Sequence, residues 1–141
     1  MLDDLTNLQA LLKDSTLLAT KGYIAGEWCD GENGQTFPVY NPARGDVITD
    51  VADISRTQAA EAIAISEKAQ KLWAARPAKE RSNLLREWYN LMMENQEDLA
   101  TILTAEQGKP LEEAKGEIAY GASFIEFFAE AAKRVYGETI P

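Results

Sequence analysis

The stretch Thr104-Ala105-Glu106-Gln107-Gly108-Lys109-Pro110 divides the second half of this chain into two helices. Glycine readily adopts the left-handed conformation that ends a helix, and proline is well suited to the first turn of the next one. The stretch therefore predicts one helix that stops at Gly108 and another that begins at Pro110.

The sequence on both sides of this stretch has the period of amphipathic helices. Upstream, Asn95 is a candidate N-cap for a helix that turns Leu99, Ile102 and Leu103 inward. Downstream, a longer helix is predicted from Pro110 to about Tyr136, closed by Gly137. Its apolar stripe is Ala114, Ile118, Gly121, Ala122, Ile125, Phe128, Ala129 and Ala132.

Two further helices are predicted between Thr57 and Asn95. The face of the first is formed by Ala62, Ile65, Ala69, Leu72 and Trp73, at the spacing of one side of a helix. Pro77 marks the first turn of the second. The face of that helix is formed by Leu84, Leu85, Trp88, Leu91 and Met92.

The chain before Thr57 alternates between extended stretches and turns. Three strands are predicted, over Tyr23–Trp28, Thr36–Tyr40 and Val47–Val51, with Pro38 restricting the second to an edge. Asn33-Gly34 provides turn chemistry between the first two strands.

Residues 1–20 predict a short amphipathic helix through Leu5, Leu8, Leu11 and Leu12, ahead of one main unit at 21–141. The fold class is therefore α+β, a small antiparallel β-meander followed by about four antiparallel helices.

Composition narrows the classes of function. The chain has 14 basic and 23 acidic side chains and a net charge of −9, which disfavours nucleic acid and anionic membranes as partners. No apolar run approaches the ~20 residues of a membrane span, and the acidic start Met1-Leu2-Asp3-Asp4 is unlike a signal peptide. These features predict a cytoplasmic protein. The absence of histidine removes the commonest general base and metal ligand.

Cys29 is the single cysteine and the first candidate nucleophile. It lies at a predicted strand end beside Glu27 and Asp30, whose carboxylates disfavour a thiolate. Cys29 is therefore interpreted as a structural residue. The carboxylate pairs on the predicted helices, such as Glu113 and Glu117, are interpreted as solvated faces, and no glycine-rich phosphate cradle is present.

Four motifs in order give the chain a family resemblance. They are Tyr23-Ile24-Ala25-Gly26-Glu27-Trp28, Tyr40-Asn41-Pro42-Ala43, the Thr104–Pro110 stretch and Tyr136-Gly137-Glu138-Thr139-Ile140-Pro141. Together they resemble the N-terminal part of NAD(P)-dependent aldehyde dehydrogenases, and most of all the succinate-semialdehyde dehydrogenases. The resemblance extends over residues 22 to 141.

The resemblance implies a reaction, and it implies which part of the enzyme contains the catalytic groups. Such an enzyme oxidises succinate semialdehyde to succinate with NAD or NADP as hydride acceptor. The nucleophilic cysteine, the base and the cofactor site lie beyond the matched segment in this family. The resemblance thus assigns no catalytic and no cofactor-binding residue to residues 1–141, and predicts that the isolated chain is inactive.

The resemblance does assign two weaker sites. The helix after Pro110 forms one wall of the aldehyde tunnel in these enzymes, which places Tyr120 and Gly116 on that wall. The acidic residue of the Glu106-Gln107-Gly108 motif and the carbonyl before Asn41-Pro42 help to hold a structural monovalent cation in such enzymes. The corresponding groups here are Glu106 and the Tyr40 carbonyl.

Two functions remain open at this point. The chain either belongs to the N-terminal part of an aldehyde dehydrogenase, or it is a non-catalytic helical module for protein–protein interaction or oligomerisation. The resemblance implies that the helices pack on a cofactor-binding sheet. Without that sheet, self-association or marginal stability is expected, because apolar helix faces remain uncovered.

Overall fold

The computed structural model describes residues 7–140. The first half contains a helical turn α1 (Leu8–Leu11) and strands β1 (Gly22–Ile24), β2 (Glu27–Cys29), β3 (Thr36–Tyr40) and β4 (Val47–Ala52). The second half contains helices α2 (Arg56–Ala75), α3 (Ala78–Glu94), α4 (Gln96–Gln107) and α5 (Leu111–Ala131). Strands followed by four long helices confirm the predicted α+β class.

The strands form two separate antiparallel hairpins instead of one meander. The predicted strand Tyr23–Trp28 is itself the first hairpin, since Ala25 (φ 56°) and Gly26 (φ 89°) make a tight turn that pairs Tyr23 with Trp28. Two positive φ angles in succession match the right-handed twist of paired strands. The predicted turn at Asn33-Gly34 has positive φ at both residues, but it connects the two hairpins without pairing β2 to β3.

The first twenty residues contain less helix than their leucine pattern predicts. Leu5 lies outside the described residues, α1 has four residues, and a 3-10 turn follows at Ser15–Leu17. Leu8 and Leu12 are buried against Ala105, with Leu18, Ile48 and Ile102 packed around them. This cluster attaches the N-terminal segment to α4.

A buried carboxylate strengthens that attachment. Asp98 on α4 is 4% exposed and accepts backbone N–H groups from Lys13 (3.1 Å) and Asp14 (2.8 Å). A carboxylate that accepts two backbone N–H groups makes charge-assisted hydrogen bonds, which are stronger than neutral ones. The N-terminal segment is therefore held by an apolar contact and a polar clasp.

Helix α5 packs against α3 and α4 through small side chains. Ala114, Ala122 and Ala129 are fully buried on one face of α5, and Ser82 and Ala100 are buried on α3 and α4. Arg86 on α3 adds ion pairs to Glu126 (2.6 Å) and Glu130 (2.8 Å) on α5. Small residues allow close approach of the backbones, and the ion pairs fix the relative position of the two helices.

The helix ends follow their sequence signals with two exceptions. Gly108 ends α4 in the left-handed conformation (φ 78°), as predicted, and Asn95 precedes α4. The side chain of Asn95 nevertheless donates to the Leu91 carbonyl and so closes α3 instead of capping α4. The prediction that α5 runs to about Tyr136 was wrong, because the helix ends at Ala131 and tightens into a 3-10 turn over Ala132–Arg134.

Large apolar side chains remain outside the core. Of the residues that the structure describes, no large side chain is fully buried, and the predicted inward residues Leu72, Trp88 and Leu91 are 75%, 56% and 52% exposed. The accessible surface of the chain is 10244 Å², whereas a folded monomer of 15.6 kDa has about 7,200 Å². The helical layer is thus covered on one side only.

Candidate functional site

Helix α5 carries two apolar faces of different character. The buried face consists of the alanines that pack on α3 and α4. The opposite face, which we call the aromatic face of α5, consists of Tyr120, Phe124, Phe127 and Phe128, which are 63%, 49%, 64% and 58% exposed. Spacings of four and three residues place the first three on one side of the helix, about half a turn away from Ala122 and Ala129.

The aromatic face has a defined side-chain arrangement. Tyr120 and Phe124 meet edge to face with ring centroids 4.9 Å apart, and Phe127 and Phe128 do the same at 5.3 Å. Ser123 and the last three phenylalanines line an open groove of about 410 Å³. Edge-to-face pairs restrict the rings, so the face presents a preformed apolar surface with one phenolic hydroxyl, that of Tyr120.

Gly116 lies one turn before Tyr120 on the same side of α5. A Cβ built on Gly116 meets no atom within 4 Å, so nothing in the described chain requires glycine there by contact. Because Gly116 has no side chain, the space beside Tyr120 on this side of α5 stays open. The assignment of Tyr120 and Gly116 to an aldehyde tunnel remains a prediction.

The proposed cation ligands lie on two segments that touch each other. Asn41, the residue after Tyr40, is 3% exposed, and its turn is closed by its Oδ1, which accepts the Ala43 N–H (2.9 Å). A Cβ on Gly108, two residues after Glu106, would lie 3.1 Å from Cγ of Pro42. The contact between Pro42 and Gly108 therefore brings the Tyr40 and Glu106 segments together.

A cavity of about 320 Å³ opens at this junction. It is lined by both segments, and Thr104 Oγ1 on its wall is buried without a hydrogen-bond partner. Lys109 also lines the cavity, and its Nζ donates to Glu117 Oε1 at 2.6 Å on α5. Within residues 7–140, no three His, Cys, Asp or Glu side chains converge on a metal position. Glu106 and Tyr40 thus remain a predicted pair that needs further oxygen ligands.

Sequence reasoning missed the polar groups of this junction. Asn41 carries a recognisable signal, since Asn before Pro favours a turn closed by its own side chain. The unpartnered hydroxyl of Thr104 has no such signal, because its burial depends on a loop some sixty residues away in sequence.

Cys29 lies away from the two candidate sites. Its Sγ donates a weak hydrogen bond to the Gly22 carbonyl oxygen (3.4 Å) across the first hairpin, and the side chain is half-buried. This contact fits the structural role that the sequence predicts.

The strands that the structure describes pair only as antiparallel hairpins. A dinucleotide site needs a strand and a helix N-terminus joined by a glycine-rich turn in a parallel βαβ unit. The glycines with positive φ at Gly26, Gly34 and Gly45 lie instead in turns within and between antiparallel hairpins. The absence of a cofactor-binding residue from this chain stays a prediction. No helix in the described range is both long and apolar enough to cross a bilayer.

Comparison with known proteins tests the family resemblance that the four motifs give. The sequence profile of the aldehyde dehydrogenase family matches residues 28–141. The chain belongs to that family. It is 58% identical over 130 residues to glutarate-semialdehyde dehydrogenase of Pseudomonas putida and 52% identical to NADP-dependent succinate-semialdehyde dehydrogenase of Escherichia coli. Each match covers 92% of this chain and 27% of the relative.

Solved structures of the family have the same fold over this region. An aldehyde dehydrogenase of Brucella melitensis superposes with a TM-score of 0.89 at 53% identity, covering 92% of this chain and 27% of that one. A betaine aldehyde dehydrogenase of Staphylococcus aureus, solved with NAD⁺, superposes at 0.85 with 30% identity over 96% of this chain and 27% of that one. The chain therefore spans about a quarter of the length of its relatives.

Proposed function

We propose that this chain forms the N-terminal part of an NAD(P)-dependent dehydrogenase for short aldehydes with an anionic group at the far end. The similarity to glutarate- and succinate-semialdehyde dehydrogenases supports this class, as does 52% identity to a 3-sulfolactaldehyde dehydrogenase. All three names describe an aldehyde with an acidic group. Succinate semialdehyde is the substrate that the motifs favour.

The part played by this chain is to build one wall of the aldehyde tunnel. The observation that carries this proposal is the aromatic face of α5, a restrained apolar surface with a single phenolic hydroxyl on the side away from the core. Apolar rings exclude water from an aldehyde, and the Tyr120 hydroxyl donates a hydrogen bond that orients a polar group. The thiolate, the base and the cofactor are supplied by the rest of the enzyme.

A chimera tests the proposal. Residues of the Pseudomonas putida enzyme that match this chain are replaced by the segment described here, and oxidation of succinate and glutarate semialdehydes is followed with NAD⁺ and NADP⁺. We expect activity that depends on Tyr120. Tyr120→Phe removes one hydrogen bond to a polar or anionic substrate and raises KM by about 10-fold.

Tyr23→Phe is the matched control, because Tyr23 is 64% exposed and Tyr120 is 63% exposed, while Tyr23 lies on the first hairpin. We expect Tyr23→Phe to leave KM unchanged. A folded chimera without activity would overturn the proposal, and equal KM for the Tyr120→Phe and parent chimeras would remove Tyr120 from the tunnel.

The second function, a non-catalytic interaction module, is favoured by the exposed apolar helix faces. It predicts the opposite pattern. The chimera would be folded and inactive, while the chain by itself would form a stable oligomer of defined size.

A further inference from the structure

The cavity between the β3–β4 hairpin and the junction of α4 with α5 is lined by hydrogen-bond donors. Its wall consists of Asn41, Ala43, Arg44, Thr104, Gly108, Lys109, Pro110 and Leu111. Arg44 and Lys109 are cationic, and within residues 7–140 no acidic side chain belongs to this wall. The predicted cation ligands, Glu106 and Tyr40, are outside the wall as well. The lining therefore favours an occupant with negative charge.

Asn41 contributes a buried donor to this wall. The residue is 3% exposed, and its Oδ1 is engaged by the Ala43 N–H at 2.9 Å. Its Nδ2 carries two N–H donors, and no oxygen of the described residues accepts a hydrogen bond from them. A buried donor without a partner is unfavourable, because it has lost its bonds to water. A ligand oxygen in the cavity would satisfy this amide.

Thr104 contributes a second donor that the fold leaves unused. Its Oγ1 is buried and has no hydrogen-bond partner among the described residues. A threonine inside a helix can bond the carbonyl four residues earlier, and Thr101 does so, donating to the Glu97 carbonyl at 2.8 Å. Thr104 lies on the same helix α4 and makes no such bond. Its hydroxyl is therefore available to a group in the cavity.

Lys109 and the first turn of α5 add positive potential. An ammonium has three N–H donors, and Lys109 Nζ uses one of them on Glu117. The side chain of Lys109 is only 22% exposed, so solvent screens its charge less than that of a surface lysine. Helix α5 starts after Pro110 without a side-chain cap, and the free N–H groups of a first turn favour an anion. The acidic residues of that turn, Glu112 and Glu113, are exposed and lie outside the wall.

We propose that this cavity binds a small tetrahedral oxyanion of the phosphate type, held by Asn41 Nδ2, the Thr104 hydroxyl and Lys109 Nζ. Phosphate has several oxygens that accept bonds from donors on different sides, and bonds to a charged acceptor are stronger than neutral ones. Because the chain has a net charge of −9, the anion is attracted by these local donors and not by the overall field. The three donors come from the β3–β4 turn, from α4 and from the junction before α5, so binding stabilises the folded chain. The site is independent of the enzyme class proposed above.

Titration of the full chain with sodium phosphate tests the site, with sodium chloride at equal ionic strength and pH as the reference. The reference is needed because salt alone screens the repulsion among 23 acidic side chains. We expect the Tm to rise along a saturating curve, whereas exclusion of phosphate from the protein surface gives no saturation. Heteronuclear NMR gives a direct readout: the side-chain amide signals of Asn41 shift with phosphate, and those of Asn33, exposed in the turn before β3, stay in place.

Two matched pairs of variants locate the bound anion. Thr104→Val removes the unpartnered hydroxyl at nearly constant volume, and its control Thr101→Val removes a hydroxyl that is already bonded. Lys109→Gln and its control Lys71→Gln each neutralise a lysine that pairs with a glutamate, but Lys71 lies on α2. We expect Thr104→Val and Lys109→Gln to raise the dissociation constant for phosphate by about 10-fold and the two controls to leave it unchanged.

Three results would overturn the proposal. The first is an equal rise of Tm in phosphate and in chloride. The second is an equal dissociation constant for Thr104→Val and Thr101→Val. The third is a saturating rise that follows the concentration of sodium or potassium whatever the anion, since the cavity would then hold a cation. If a variant does not fold, the parent chain still decides, because Asn41 amide signals that do not shift exclude phosphate from the cavity.

Discussion

At the scale of single residues, Gly108 combines two constraints that are usually separate. Its φ of 78° lies in the left-handed region, and Pro42 lies 3.1 Å from the position that a Cβ would take. Gly45 has the same φ of 78° with nothing within 4 Å of its Cβ position. The two glycines differ only in the contact with Pro42. Substitutions at both positions therefore separate the cost of backbone strain from the cost of packing.

We predict that Gly45→Ala lowers the free energy of unfolding by about 1 kcal/mol, the cost of a left-handed L-residue. Gly108→Ala is expected to cost about 1 kcal/mol more, because Pro42 must move to make room. Urea unfolding followed by circular dichroism gives both values. An equal loss of unfolding free energy in the two variants would show that Pro42 moves aside at no measurable cost.

The residue scale also shows the limits of the sequence signals. The glycine stop at Gly108 is readable, because helix termination is a local property of the backbone. The contact of Gly108 with Pro42 is not readable, because the two residues meet only through the packing of a hairpin on a helix junction. For the same reason the motif containing Glu106 was visible while its neighbour, the buried hydroxyl of Thr104, was not.

At the scale of elements, the ion pairs of Arg86 join α3 to α5 with a definite dependence on pH. Lys133 and Arg86 hold the pKa of Glu130 below its ordinary value of 4.5, and Glu126 and Glu130 raise the pKa of Arg86. A carboxyl whose pKa is lower in the folded chain stabilises that chain above the ordinary value. The stabilisation is lost as the pH falls through the lowered value.

We predict that Glu130→Gln has a lower Tm than the parent at pH 7, and that the difference shrinks below pH 4.5 as the parent carboxyl becomes protonated. Thermal unfolding by circular dichroism at several pH values measures this. Glu67→Gln serves as control, since Glu67 pairs with Lys71 inside the single helix α2 and a surface pair of this kind contributes little. A difference in Tm that is constant with pH would contradict the ionic role of Glu130.

Element faces were predicted better than element ends. The periodicity placed Ala114, Ala122 and Ala129 on the packed side of α5 correctly, but it also assigned Phe128 to that side, and Phe128 is 58% exposed. The helix was extended to Tyr136 because apolar residues continue past Ala131, and period alone does not register a tightened last turn. Period identifies an apolar face; it does not tell whether the partner of that face is part of the same chain.

At the scale of the whole molecule, the excess surface has a measurable thermodynamic effect. The slope of unfolding free energy against urea concentration scales with the surface that unfolding exposes. An unfolded chain of this mass exposes about 22,600 Å², so the folded chain conceals about four fifths of the area that an ordinary monomer conceals.

We predict a urea m-value about 20% below that of typical domains of this length. The measurement is an unfolding curve by circular dichroism at two protein concentrations. An m-value that increases with protein concentration and reaches the usual size would show that other copies of the chain cover the helix faces. That result is the self-association expected in the sequence analysis. A normal slope independent of concentration would contradict the open helical layer.

The clasp at Asp98 has a consequence for the order in which the chain is made. The amides of Lys13 and Asp14 leave the ribosome 85 and 84 residues ahead of the carboxylate that accepts them. At synthesis rates of about 5–20 residues per second, this interval lasts about 4–17 s. During that time Leu8 and Leu12 cannot pack on Ala105, because α4 has not yet been made. The N-terminal segment is therefore the last part of the first half of the chain to fold.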